Sequence, residues 1–236
     1  MKISNETLSI ISNFAAINQN IHIAAGNRIK TKTPATLAMM ATAVIQEEFP
    51  CDFSIYELSK LLNILNLFED PDVEFFEGHL TVEKQKSKAN FVYTNKTLVD
   101  AVTDYEKEIK SPEPIIRFTL EESVFKRIKQ SAKLFDVTDI NITSHGNNVM
   151  RVTATGAAMS KENANKFTVD IDAPDIYQDD VSFSVKLEIL KFLPGDYDVS
   201  VSIIKLQDRE LAMVRFKNTT LVDSEVEYVV AGDVVK

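Results

Sequence analysis

The sequence predicts an α+β chain of two similar domains, each with two helices packed on antiparallel sheets. Three observations carry that expectation. The length of 236 residues suits two domains, since domains cluster at about 100–150 residues. Each half shows the same order of elements: helix, three strands, helix, three strands. Between the halves, Asp104–Pro114 (DYEKEIKSPEP) is polar and charged and contains Pro112 and Pro114. Proline lacks the donor that a central strand needs, so this segment is expected to be a linker. The domains are expected at 1–108 and 109–236.

The first helix is expected over residues 4–18, where Leu8, Ile11, Phe14, Ala15 and Ile17 recur at helical spacing behind Ser4 and Asn5. Strands are expected at 21–25, 28–33 and 36–44, the first two joined by a tight Gly26-Asn27 hairpin. Ser54-Ile-Tyr-Glu57 has the capping-box pattern, opening a helix with Leu58, Leu61, Leu62 and Leu65 on its apolar face. Strands follow at 73–76, 79–83 and 89–94. The pattern then restarts. Thr119-Leu-Glu-Glu122 is a second capping box, opening a helix through Phe135. Strands are expected at 139–144, 149–155 and 166–171. A fourth helix is placed over 184–193, stopped by Pro194-Gly195, and three last strands at 197–205, 211–217 and 226–230.

Hydrophobic residues make up 44% and charged residues 26%, with a net charge of −9. Such a chain folds around a core, and its bulk charge repels nucleic acid and anionic membranes. Any DNA contact must come from a local basic face. A single cysteine, Cys51, forms no internal disulfide and fits a reducing compartment. The first residues, MKISNETLSIISNF, lack the continuous apolar stretch of a secretory signal, and no apolar run reaches membrane-spanning length. A cytoplasmic, soluble protein with no membrane partner is expected.

Catalytic chemistry finds little support. His22, His79 and His145 lack metal-site spacing, and Cys51 has no histidine close in sequence. With six glycines the chain has neither a phosphate-cradling loop nor a nucleophile elbow. Asp170, Asp172, Asp175, Asp179 and Asp180 could bind Mg²⁺ or Ca²⁺ through oxygens, but the segment lacks the EF-hand glycine and glutamate, and a solvated acidic loop accounts for it. No catalytic residue, metal site or cofactor is expected, and the chain is not expected to be an enzyme.

One helix stands out. At about 100° per residue, Val124, Ile128 and Phe135 fall on one side, and Lys126, Lys129 and Lys133 gather on the other with Arg127 on the flank. Two readings fit: a helix lying against phosphates, and an ordinary solvated face whose Glu121 and Glu122 start and basic end suit the helix dipole. Lys60 lies opposite the leucine face of the second helix, and Lys186 and Lys191 belong to the fourth. No zinc-finger spacing, basic zipper or base-stacking aromatic pair appears. Phosphate-only contacts give affinity without sequence choice, and a protein of that type can slide.

Short segments extend this picture. Met1-Lys-Ile-Ser4 and Asn13-Phe-Ala-Ala-Ile-Asn18, then Ile55-Tyr-Glu-Leu58 with Leu62-Asn-Ile-Leu-Asn-Leu67, then Pro194-Gly-Asp-Tyr197 and Tyr228-Val-Val-Ala231 occur in order along the chain. In these segments, and in its total length, the chain resembles the sliding clamps of T-even-type bacteriophages, processivity factors of the viral DNA polymerase. The resemblance implies the DNA clamp fold, three subunits closing a ring, helices lining the hole and sheets continuing between subunits. It implies double-stranded DNA, the viral DNA polymerase, an ATP-dependent clamp loader and late transcription factors as partners, in the cytoplasm of an infected bacterial host. It also implies a partner-peptide pocket near the linker, for which Pro114, Ile115, Tyr228 and Val230 are the positions, though each serves equally as ordinary core. Such clamps commonly carry lysines on the first helix, where this chain has Asn5 and Ser12, so the burden shifts to Lys126, Lys129 and Lys133. The alternative of another class is a viral structural or interaction module that does not bind DNA.

Overall fold

Ser4 ends the extended N-terminal residues and opens helix α1 (Asn5–Ile17), its Oγ accepting the Thr7 N–H at 3.2 Å. This is the local cap that the sequence predicts. Thr7, Ile10, Ile11, Phe14, Ala15 and Ile17 are buried, while Asn5, Ser9, Ser12 and Ala16 face solvent. The computed structural model describes residues 1–34, 38–102, 112–144, 148–155, 165–178, 180–206 and 209–235. Most of the expected linker, 103–111, lies outside the described residues, as do Ala35, Thr36, Leu37, His145 and Asp179. The chain divides into two compact units, Met1–Ile109 with Leu221–Val226, and Lys110–Thr220 with Glu227–Lys236.

In the first unit α1 is followed by β1 (Ile21–Ile23), β2 (Gly26–Lys32), β3 (Met39–Phe49), β4 (Phe53–Ile55), α2 (Leu58–Leu65), β5 (Asp72–Phe75), β6 (His79–Lys84) and β7 (Ser87–Val92). The expected Gly26-Asn27 hairpin does not form. β1 pairs with β4, setting Ile21 opposite Ile55 and Ile23 opposite Phe53, whereas β2 pairs with β3. Gly26 has φ +107° and a register shift follows it, so the chain changes partner there instead of folding back. β5, β6 and β7 form an antiparallel meander. Phe49, Phe53, Phe75 and Tyr93 form an aromatic cluster with contacting centroids 5.3–5.7 Å apart, Phe49 meeting Phe53 and Phe75 edge-on and Tyr93 stacking on Phe53.

The first capping box is also absent. Ser54 is a strand residue bonded to His22 Nδ1 at 2.9 Å. Helix α2 starts at Leu58 behind Glu57, whose side chain does not cap it. Gln19 takes that role from the end of α1: its carbonyl accepts the Leu58 N–H at 2.7 Å, and its Oε1 accepts the Ser59 hydroxyl at 2.8 Å.

Glu47 on β3 clamps the other end of α1, its carboxylate accepting the Ser4 N–H and the Thr7 hydroxyl. Burial pushes this carboxyl pKa up, but the bonds from Thr7 and Ser4 outweigh it, and the net shift is downward. A carboxylate depressed in the folded state contributes stability at neutral pH and loses it as pH falls through its folded value. Glu47→Ala is therefore expected to cost about 1–2 kcal/mol near pH 7. In chemical denaturation the gap from the parent chain should close as pH drops from about 5 to about 3.

The second unit opens with a strand that begins just past the expected linker and runs into the expected start of a helix. β8 (Ile116–Leu120) buries Ile116, Phe118 and Leu120 in period-two alternation. Thr119 thus belongs to a strand, and α3 (Glu122–Leu134) begins behind Glu121 without a side-chain cap of its own. The Glu122 N–H is accepted instead by Asp196 Oδ1 at 2.8 Å. Gly195 makes that approach feasible: it has φ +136°, and a Cβ there would meet Asn218 Nδ2 and Thr220 Oγ1 at 2.8 Å.

Strands β9 (Asp139–Ser144), β10 (Val149–Thr155), β11 (Lys166–Asp172), β12 (Asp175–Ile176) and β13 (Ser182–Lys186) follow, then β14 (Tyr197–Leu206), β15 (Arg209–Asn218) and β16 (Glu225–Val234). They hydrogen-bond in the order β11-β10-β9-β13-β16-β15-β14-β8-β12, and the neighbours whose register is defined run antiparallel. The expected fourth helix is replaced by β13 and a single 3₁₀ turn, Leu187–Ile189. Val181, Phe183 and Val185 are buried alternately, a period of two that the sheet satisfies and a helix would not. The second unit therefore holds one α-helix among the described residues. The fold is mixed α+β, few helices on antiparallel sheets.

Candidate nucleic-acid interface

Helix α3 is anchored through Phe125, Ile128, Ser131 and Ala132, all buried. Phe125 stacks on Phe192 at 5.5 Å, and Phe192 in turn lies 4.5 Å from Tyr228, 4.7 Å from Phe216 and 5.6 Å from Tyr197. Tyr197 donates its hydroxyl to the Leu193 carbonyl, and Tyr228 accepts the Leu193 N–H at 3.2 Å. Burial drives both phenol pKa values upward, so both rings stay neutral.

The inward face is thus rotated from the one expected. Val124 and Phe135 are only half-buried, and Phe125 and Ala132 take their place. Lys126, Arg127 and Lys133 are exposed as expected, with Gln130 among them. Lys129 is not. It lies at the edge of the buried face with Nζ 4.3 Å from the Phe125 ring centroid, a cation–π contact. Burial, then repulsion from Lys126, lowers its pKa, partly opposed by Glu122. Lys126 is held by Glu122 at 2.6 Å, one turn earlier, a pairing that orients the side chain more than it stabilises the fold.

The other expected cations are dispersed. Lys60 is exposed on α2 in the first unit and pairs with Glu57. Lys186 is exposed at the end of β13, and Lys191 is exposed just beyond the 3₁₀ turn, so neither lies on an α-helix. Among the pocket positions, Pro114 and Ile115 are half-buried before β8, whereas Tyr228 and Val230 are 0% exposed in the core of the second unit. The two tyrosines and Phe192 are the aromatic support that holds α3, a role sequence spacing did not reveal.

Elsewhere the chemistry-bearing residues are occupied structurally. Asp170 is gripped by Arg151 at 2.7 and 2.9 Å. No group of three His, Cys, Asp or Glu among the described residues could hold a metal ion. Cys51 is half-buried. Among the described residues, no helix is long and apolar enough to cross a membrane.

Comparison with known proteins places this geometry. The family described as DNA polymerase processivity factor matches residues 4–97. The chain is 28% identical over 206 residues to the sliding clamp of Vibrio phage KVP40, spanning 85% of this chain and 90% of that one. It is 31% identical over 122 residues to the sliding clamp of Escherichia phage RB69, which is 47% of this chain and 53% of that one. Among solved structures it superposes on the proliferating cellular nuclear antigen of Entamoeba histolytica with TM-score 0.66 at 16% identity, covering 96% of this chain and 94% of that one. The DNA polymerase sliding clamp of Pseudomonas aeruginosa gives TM-score 0.62 at 13% identity, over 100% and 64% of the two chains. The fold is that of the DNA clamps, and the sequence relatives point to the sliding clamps. In sequence it is similar to sliding clamps of the T-even phage type and, over residues 4–97, to the DNA polymerase processivity factors, which are not enzymes.

Proposed function

We propose that three copies close into a ring around double-stranded DNA, and that the ring tethers the viral DNA polymerase during replication in the cytoplasm of the infected host. The domains are 1–108 and 109–236. The observation that carries the reading is α3, a helix with Lys126, Arg127 and Lys133 exposed on a rigid aromatic support, in a chain whose net charge is −9. Phosphate contacts of this kind are weak, screened by salt and blind to sequence. Lys129 supports the same face from its flank, and Lys60, Lys186 and Lys191 contribute further exposed cations. An ATP-dependent clamp loader opens the ring. The polymerase peptide docks beside Pro114 and Ile115, whose partial exposure supports that position, and late transcription factors use the same ring.

Topology is the test. After loading by its clamp loader, the protein should remain on closed circular DNA at least about ten times longer than on the same DNA linearised, because enclosure rather than affinity retains it. It should also stimulate long-product synthesis on primed circles. Equal loss from circular and linear DNA would sink the proposal.

A further inference from the structure

The meander β5–β6–β7 has one face turned away from the core of the first unit. Side chains alternate across its strands, and Val73, Leu80 and Val82 go inward, where they are buried. The opposite face stands in three rows. Asp72, Glu83 and Lys88 form the first, and Glu74, Thr81 and Asn90 the second. Phe76, His79 and Val92 form the third. His79 and Val92 are register partners, and the Phe76 N–H donates to the His79 carbonyl at 2.9 Å.

That third row is aromatic, apolar and open to solvent. Phe76 is 43% and Val92 73% exposed, and the Phe76 and His79 rings stack at 4.8 Å with 11° between their planes. A lone exposed apolar side chain is ordinary on a folded protein, whereas contiguous ones mark a contact surface. Carboxylates border the row. Glu77 lies in the turn between Phe76 and His79, and Glu74 precedes Phe76 by two positions on the same face. Both are exposed and make no ion pair among the described residues. The first row is different, since Asp72 has Lys2 at 4.0 Å and Glu83 has Lys88 at 3.8 Å. Negative charge is therefore left open beside the apolar row.

We propose that Phe76, His79 and Val92, with Glu74 and Glu77, dock a segment of a partner protein that carries an aromatic or branched apolar side chain next to lysine or arginine. The apolar side chain lies on the row, and the cation reaches Glu74 or Glu77. Other occupants fit less well. Nucleic acid would set its phosphates against two carboxylates, and a second copy would bring a net charge of −9 to an anionic surface. Exposed ion pairs contribute little affinity, so the carboxylates act on selectivity and the apolar row on strength. Binding of a short segment is weak and weakens further with salt. The surface belongs to the first unit, whereas Pro114 and Ile115 precede β8 in the second.

A pair of capped pentapeptides tests this, one with phenylalanine followed by two arginines, its twin with glutamates in their place. Each is titrated into the full deuterated chain while amide chemical shifts are followed. The arginine peptide should bind with Kd on the order of 1 mM, moving amides of β5, β6 and β7. Its glutamate twin should bind about fivefold more weakly or worse. E74Q/E77Q should erase that preference, and Phe76→Ala should weaken both peptides by about threefold or more. Equal binding of the twins to the parent chain, or a preference that survives E74Q/E77Q, would overturn the proposal. So would shifts centred outside the meander, or no shift by about 10 mM peptide. Sedimentation velocity supplies the last arm. Phe76→Ala should assemble at the same concentration as the parent, and a change of about tenfold would make a second copy the occupant and overturn the partner segment.

Discussion

Reversing charge at Lys126, Arg127 and Lys133 together is expected to lower affinity for duplex DNA by on the order of 100-fold at physiological salt. For every phosphate that goes unneutralised, the log–log slope of binding against salt should also flatten by about one unit. Processive synthesis on primed circular DNA should fall by about tenfold or more, with fewer rings retained after loading. The fold should survive, because all three side chains are exposed and surface substitutions ordinarily cost under about 0.5 kcal/mol. Removing the Lys126–Glu122 pair adds only about 0.3–0.5 kcal/mol. Lys129 is a poorer target for the same test. Its stem and ammonium cover Phe125, so replacing it would mix a packing effect with a charge effect. Normal processivity in the folded triple variant would exclude α3 as the DNA-facing element.

Phe192→Ala is expected to have the largest effect on stability, about 3–5 kcal/mol. The ring is 7% exposed and touches Phe125, Tyr197, Phe216 and Tyr228 at once, so its removal leaves a cavity the surrounding rings cannot fill without leaving their hydrogen bonds to Leu193. Tyr228→Phe offers the contrast. It keeps the stack and gives up one bond to the Leu193 N–H, for about 0.5–1.5 kcal/mol. Denaturant unfolding measures both. Similar costs for the two variants would mean that the polar ties, rather than the stacked rings, hold α3 in place.

Where structure depends on neighbours in sequence, the chain is legible. β9 and β10 have the bounds their alternation predicts, and α1 begins at the cap its spacing predicts. Structure that depends on distant residues is not. Ser54 and Thr119 each look like the first residue of a capping box, yet both are in strands. The caps of α2 and α3 come from Gln19 and Asp196, which no local pattern connects to the helices they start. The segment 184–193 carries enough apolar residues for a helix, but pairing with β9 takes its first three residues into the sheet, tertiary context overriding propensity. The cationic face of α3 is visible because exposure follows helical angle. The position of Lys129 is hidden, since it depends on Phe125, rather than Val124, being the inward aromatic anchor.

The dependence of α3 on remote residues has a consequence for how the protein is made. The aromatic partners of Phe125 and the cap at Asp196 lie between residues 192 and 228, all synthesised after the helix itself. At about 5–20 residues per second, the segment carrying the exposed lysines is made about 5–20 s before the last of these partners. A 13-residue helix is marginal alone in water. The nascent chain therefore presents no ordered cationic surface, and the face suited to nucleic acid takes shape only when the last strands close the sheet.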